Sequence, residues 1–191
     1  MNNPYRKDQL LDLVKTTFVD VLGCNSEEIT KDAALVNDLG ADSLDFVEFR
    51  YMIEKQLGIT LPHKSVLEHL ATAMGGMDQI YKNGKITPFA ATVLRESPFQ
   101  YSEDQVVDGM LPYEIMAVTT VSNWVSFCYT LFDYLPAVCP NCNANESQLS
   151  HESKAICAFC GSALKPQSGD AVIVDDLPRI LSLCPSIQEL V

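Results

Sequence analysis

The stretch that decides the fold is DLGADSLDFVEF, residues 38–49, where a predicted helix begins at Ser43. Asp42 and Asp45 flank this serine, at positions where acidic side chains stabilise the positive N-terminal end of a helix. Apolar residues then recur at helical spacing and stop at Gly58; they are Leu44, Val47, Phe49, Tyr51, Ile53 and Leu57. The pattern predicts an amphipathic helix with an exposed serine at its N-terminus.

The wider stretch from Glu28 to Asp45 closely resembles the modification loop of acyl carrier proteins, and the resemblance continues to Pro62. In that family the serine of the Asp-Ser-Leu motif carries 4'-phosphopantetheine, so the resemblance implies that Ser43 is the attachment site. It further implies an extended, specialised carrier that holds acyl groups as thioesters and catalyses nothing itself. Helix amides and the helix dipole can stabilise a phosphate at this position. The alternative is that Ser43 is simply the N-cap of the helix.

Acidic side chains line or flank the predicted helix. Within the family, such a face docks onto Lys/Arg patches of partner enzymes, which gives fast and salt-sensitive encounters. The resemblance therefore implies as partners a phosphopantetheinyl transferase and acyl-processing enzymes, such as a synthase or an acyltransferase, with basic patches. A solvated face without a partner is the alternative. The candidate docking residues are Asp38, Asp42, Asp45, Glu48 and Glu54.

The remaining helical patterns predict a mainly α fold, in which an acyl-carrier-type four-helix bundle occupies residues 1–136. A first helix is predicted from Pro4 to Val21. Thr120 begins a striped helix near Leu135 at its other end, and its Thr-Val opening resembles the last helix of the family. Residues 63–118 would then be a helical insertion. The alternative places the last carrier helix at residues 71–81.

Four cysteines follow in the pattern C-x2-C, fourteen residues, C-x2-C: Cys139, Cys142, Cys157 and Cys160. Two such pairs can offer four thiolates to one tetrahedral Zn²⁺, and the pattern resembles a zinc ribbon. Residues 137–191 are therefore predicted as a small C-terminal β zinc-ribbon domain, with a strand at 171–174. Iron would use the same ligands. A closed four-cysteine site leaves no open position for catalysis.

Composition limits the possible functions. The formal net charge of −12 disfavours nucleic-acid and membrane-surface binding. The uncharged run 115–132 is interrupted by polar residues, so no membrane span is expected. The N-terminal residues have charges and no apolar core of a signal peptide, which predicts a cytoplasmic protein with reduced cysteines.

Two other functions remain open. One is a zinc-ribbon adaptor whose carrier-like domain stays unmodified. The other is a metal-dependent redox protein, which iron would favour. For an acyl carrier, the pathway could be fatty-acid, specialised lipid or polyketide biosynthesis.

Overall fold

The computed structural model describes residues 1–184, and this part of the chain is mainly helical. The helices are α1 (Lys7–Leu22), α2 (Ser43–Leu57), α3 (Val66–Met74), α4 (Pro88–Glu96), α5 (Pro112–Ala117), α6 (Val121–Asp133) and α7 (Gly169–Leu183). Two antiparallel hairpins complete it: β1 (Tyr81–Lys82) with β2 (Lys85–Ile86), and β3 (Ser147–Leu149) with β4 (Ala155–Cys157). The expected mainly helical fold with a small cysteine-rich C-terminal region is confirmed.

Aromatic packing joins α1, α2 and α6 in the core. Phe18 of α1 stacks on Phe49 of α2, with ring centroids 4.0 Å apart. Trp124 of α6 meets Phe49 edge-on at 5.1 Å. Phe18 and Phe49 are almost completely buried, so truncating either one to alanine should cost about 3–5 kcal/mol.

The loop before α2 is fixed by the connection between α5 and α6. The Leu35 N–H donates to the Thr119 carbonyl at 3.1 Å, and the Val121 N–H donates to the Ala33 carbonyl at 3.1 Å. Ala34 and Thr120 form an isolated antiparallel bridge at the same place. These long-range bonds set the direction in which the chain enters α2.

The expected strand at 171–174 is wrong, because these residues lie in α7. The Ser168 hydroxyl caps this helix by accepting a hydrogen bond from the Ala171 N–H at 3.3 Å. The buried residues follow helical spacing and pack against α3 and α4; they are Val172, Ile173, Leu177 and Ile180. The run of β-branched residues favours a strand locally, but the N-cap and this packing favour the helix.

The cysteine-rich segment contacts the N-terminal residues of the chain. The Tyr5 hydroxyl donates a hydrogen bond to the Ser153 carbonyl, and the Tyr5 ring packs on Phe132 of α6 at 4.4 Å. The Ser147 hydroxyl donates to the Asn2 carbonyl at 2.5 Å. The segment is therefore packed against the helices. Within residues 1–184, no helix combines the length and the apolar character needed to cross a bilayer.

Candidate carrier site and metal centre

Ser43 is the first residue of α2 and is exposed. Asp42 caps the helix, because its carboxylate accepts hydrogen bonds from the Leu44 N–H at 2.7 Å and the Asp45 N–H at 3.1 Å. The Asp45 carboxylate accepts the Asp42 N–H at 2.8 Å in return. Ser43 is therefore not the N-cap, and its hydroxyl is directed to no partner in the described part of the chain.

This capping box changes the expected environment of a phosphate at Ser43. Two of the helix N-terminal amides, those of Leu44 and Asp45, already donate to Asp42 and are not free for a phosphate. Carboxylates flank the serine on both sides. A phosphate there would be exposed to solvent and would add to a negative surface, which favours a cationic partner.

The five candidate docking acids differ in their contacts. Asp38 accepts the Ala34 N–H at 2.8 Å. Glu54 accepts the Leu61 N–H at 2.8 Å and lies 3.8 Å from Arg50, so its carboxylate is engaged within the protein. Glu48 is exposed and has no partner within residues 1–184. Glu48 is thus the acid that is most free to meet another protein.

An apolar stripe on α2 faces solvent and extends from the serine. Leu44 is 75% exposed, Val47 66% and Tyr51 63%. The sequence prediction placed these residues on the buried face, but α2 buries Phe49, Ile53 and Leu57 instead. Spacing alone could have separated the two sets, because residues 44, 47 and 51 form a stripe of their own along one helix face.

Comparison with known families explains this serine. Residues 12–73 match the family model described as "Phosphopantetheine attachment site". This segment is a phosphopantetheine carrier domain. The match includes α2 with Ser43 and continues past Pro62 through most of α3. No solved structure gives a significant match to the chain.

The C-terminal helix α7 closes against the carrier domain at the loop between α2 and α3. The Gly169 N–H donates to the Thr60 carbonyl at 2.7 Å. A Cβ atom on Gly169 would lie 2.6 Å from the ring Cδ of Pro62, so only glycine permits this approach. Sequence reasoning missed this contact because its two sides are more than a hundred residues apart.

Asp170 adds a polar clamp at the same place. Its carboxylate accepts the His63 and Lys64 N–H groups at 3.0–3.1 Å and the His69 Nε2–H at 2.8 Å. Burial raises the pKa of Asp170, but the hydrogen bonds from His63, His69 and Lys64 outweigh it and lower the pKa below 3.8. The carboxylate is therefore charged at neutral pH and holds the start of α7.

The four predicted metal ligands lie together. Their Sγ atoms are all within 4.8 Å of one another, with Cys139 and Cys160 3.7 Å apart and Cys142 and Cys157 3.6 Å apart. All four are free cysteines, and a disulfide would need a separation of about 2.05 Å. A tetrahedron with Zn–S bonds of about 2.3 Å places its sulfurs about 3.8 Å apart. The cluster therefore fits a tetrahedral metal ion.

Each cysteine pair is followed by a left-handed residue that turns the chain around the cluster. Asn143 has φ 59° and donates its N–H to the Cys139 carbonyl, and Gly161 has φ 70° and donates its N–H to the Cys157 carbonyl. The expected turn at Gly161 is confirmed. Hydrogen bonds from the Ser162 side chain and backbone lower the pKa of Cys160 to about 5, which favours the thiolate that a metal requires.

Proposed function

We propose that this protein is an acyl carrier whose 4'-phosphopantetheine arm is attached to Ser43. The family match over residues 12–73 carries the proposal, and the exposed position of Ser43 beside the Asp42 cap supports it. When bound, the arm supplies a thiol that holds an acyl group as a thioester. The protein itself catalyses no reaction, and it serves fatty-acid, specialised lipid or polyketide biosynthesis.

The residues around Ser43 divide the work of presentation. Asp42 and Asp45 fix the first turn of α2, so the hydroxyl of Ser43 is held at a defined point on the surface. The exposed stripe of Leu44, Val47 and Tyr51 offers apolar contact area next to it. The partners are a phosphopantetheinyl transferase and acyl-processing enzymes with basic patches, met by the acids Asp38, Asp42, Asp45, Glu48 and Glu54.

We also assign the four cysteines to one structural Zn²⁺. The support is the tetrahedral spacing of Cys139, Cys142, Cys157 and Cys160. Because four protein ligands leave no open position, the ion stabilises the segment and performs no chemistry. Iron with the same ligands would colour the purified protein, so an absorbance spectrum and elemental analysis distinguish the two metals.

Modification of Ser43 is the direct test of this function. Incubation with coenzyme A and a phosphopantetheinyl transferase should add the mass of one phosphopantetheine to the wild type and nothing to Ser43→Ala. Ser65→Ala is the matched control, because Ser65 is also an exposed serine at a helix start. It should be modified like the wild type.

An unchanged mass of the folded wild type with several transferases would contradict the proposal. It would favour the adaptor function, with an unmodified carrier-like domain. Modification of Ser43→Ala would instead show that the attachment site lies elsewhere.

A further inference from the structure

A cleft of about 380 Å³ opens beside α2. Phe46 and Arg50 of α2 form one wall, and Ile115 and Met116 of α5 form another. Pro62 and Trp124 complete the lining named here, and most of the surface is apolar. Part of the segment 63–118 therefore encloses a space next to the helix that begins at Ser43.

The cleft lies outside the core of α1, α2 and α6. That core is filled, because Phe18 and Phe49 are stacked and Trp124 packs edge-on against Phe49. Phe18, Phe49 and Phe127 are almost completely buried. A chain of methylene groups could enter this core only by displacing packed rings, whereas the cleft already offers space.

The cleft is continuous with the attachment site along one face of α2. Phe46 follows Ser43 by three residues, which is about 4.5 Å along the helix axis and on the same side. Arg50 continues this line seven residues after Ser43, and its guanidinium is held by the Pro62 carbonyl at 2.5 Å. A group attached to Ser43 therefore starts one helical turn from the cleft.

Trp124 contributes the polar group of the cleft that lacks a partner. Its ring is fixed edge-on by Phe49 at 5.1 Å and by Phe99 at 5.5 Å. Its Nε1–H is buried and has no hydrogen-bond partner within residues 1–184. By contrast, the Tyr101 hydroxyl, also in the lining, pairs with Thr119 Oγ1 at 3.0 Å. A buried donor without an acceptor is unfavourable, and an oxygen of a bound ligand would relieve it.

We propose that this cleft holds the acyl group of the carrier and selects one of medium length with an oxygen acceptor that pairs with Trp124 Nε1. The inference rests on the proposed acyl-carrier function. At about 30 Å³ for each small group, the cleft has room for about a dozen non-hydrogen atoms. An oxo or hydroxyl substituent along the chain supplies the acceptor.

Fluorescence of Trp124 gives the first test, because this is the only tryptophan of the chain. The protein is loaded at Ser43 from coenzyme A or from octanoyl-coenzyme A, and the mass of each product is confirmed. We expect the emission maximum to differ between octanoyl-loaded protein and protein with the bare arm. Ile115→Phe and Met116→Phe fill the cleft and should abolish this difference, whereas Val107→Phe, outside the lining, should keep it.

A chemical cycle tests the oxygen acceptor. Wild type and Trp124→Phe are loaded with octanoyl or with 3-, 5- or 7-oxo-octanoyl groups, and thioester cleavage by hydroxylamine is timed. Phenylalanine keeps an aromatic ring and removes only the N–H donor. For at least one oxo isomer, the protection relative to octanoyl should be about fivefold greater in the wild type than in Trp124→Phe.

The outcomes separate the cleft from the carrier function. Failure to load Ser43 at all overturns the acyl-carrier function. Successful loading with an emission difference that survives in both cleft-filling variants overturns the cleft. A cycle with no difference between wild type and Trp124→Phe for any oxo isomer overturns the oxygen acceptor.

Discussion

At the residue scale, Gly169 and Asp170 show how two adjacent side chains join distant parts of the chain. Gly169 allows backbone contact at Thr60 and Pro62, and the Asp170 carboxylate collects donors from His63, Lys64 and His69. Hydrogen bonds to a charged group contribute about 1.5–3 kcal/mol each before solvent exposure is considered. This clamp should therefore be visible in the stability of the whole protein.

Replacing Asp170 should make stability less dependent on acid pH. The pKa of Asp170 is lowered in the folded state, so its stabilising effect is present above the unfolded value of 3.8 and is lost as pH falls through the folded value. Asp170→Asn should lower the free energy of unfolding by about 1–2 kcal/mol at pH 7. Urea unfolding between pH 3 and pH 7 measures the difference, which should shrink towards the acid end.

The matched control is Asp175→Asn, an exposed acid on the same helix. It should change the free energy of unfolding by about 0.5 kcal/mol or less. An Asp170→Asn deficit that stays constant down to pH 3 would mean that the carboxylate charge has no part in the clamp.

At the element scale, α2 has three separate faces. Phe49, Ile53 and Leu57 are buried in the core, Leu44, Val47 and Tyr51 face solvent, and Phe46 and Arg50 face the cleft. Only the first face supports the fold, so substitutions on the exposed face test recognition. Glu48 is the best position, because Asp45 belongs to the helix cap.

Glu48→Lys should reduce docking and leave stability unchanged. Positive charge at this exposed position would meet the basic patch of a partner enzyme, where like charges repel. We expect modification or acyl loading of the folded variant to be about tenfold slower at low salt, with the difference decreasing as salt rises. Initial rates across a salt series, together with a thermal melt, measure both effects.

Asp20→Lys makes the same charge change on the exposed surface of α1. Its loading rate should stay close to that of the wild type. Equal rates for Glu48→Lys and the wild type at low salt would show that Glu48 takes no part in recognition.

Local patterns explain which elements could be predicted from sequence. The N-caps Ser65, Thr87 and Thr120 and the left-handed Gly58 mark helix boundaries within a few residues, so α2, α3, α4 and α6 were predicted near their observed limits. The cysteine cluster was also visible, because its spacing is itself the motif. The features missed depend on contacts between distant residues: α7, the Asp170 clamp and the unpaired Trp124 Nε1.

At the scale of the whole molecule, the cysteine-rich segment connects α6 to α7 and brings α7 back to the helices. At its far side, Arg179 of α7 pairs with Asp176 at 2.6 Å and donates to the Glu96 carbonyl at the end of α4 at 2.9 Å. The division into residues 1–136 and 137–191 stays a prediction. The structure adds that α7, in the second range, packs on α3 and α4 in the first.

Removing the metal should unfold the cysteine-rich segment and spare most of the helices. Structural zinc supplies much of the folding free energy of such segments, whereas the helices have their own apolar core. Cys139→Ser/Cys157→Ser should lose the metal and the hydrogen-exchange protection of β3 and β4. Elemental analysis, far-UV circular dichroism and hydrogen exchange measure these changes.

Cys24→Ser is the control, because Cys24 lies outside the cluster. It should keep one metal ion per chain. A double variant that retained stoichiometric metal would show that the four cysteines are not the ligands.

The closure by α7 has a consequence for protein engineering. The segment that matches the carrier family, residues 12–73, ends before α4, α6 and α7, although all three help to enclose it. Excised as a cassette, it would leave Phe49 without Trp124, and the amides of His63 and Lys64 without Asp170. Transplanting this carrier into another biosynthetic assembly line therefore requires the helices up to α7 to travel with it.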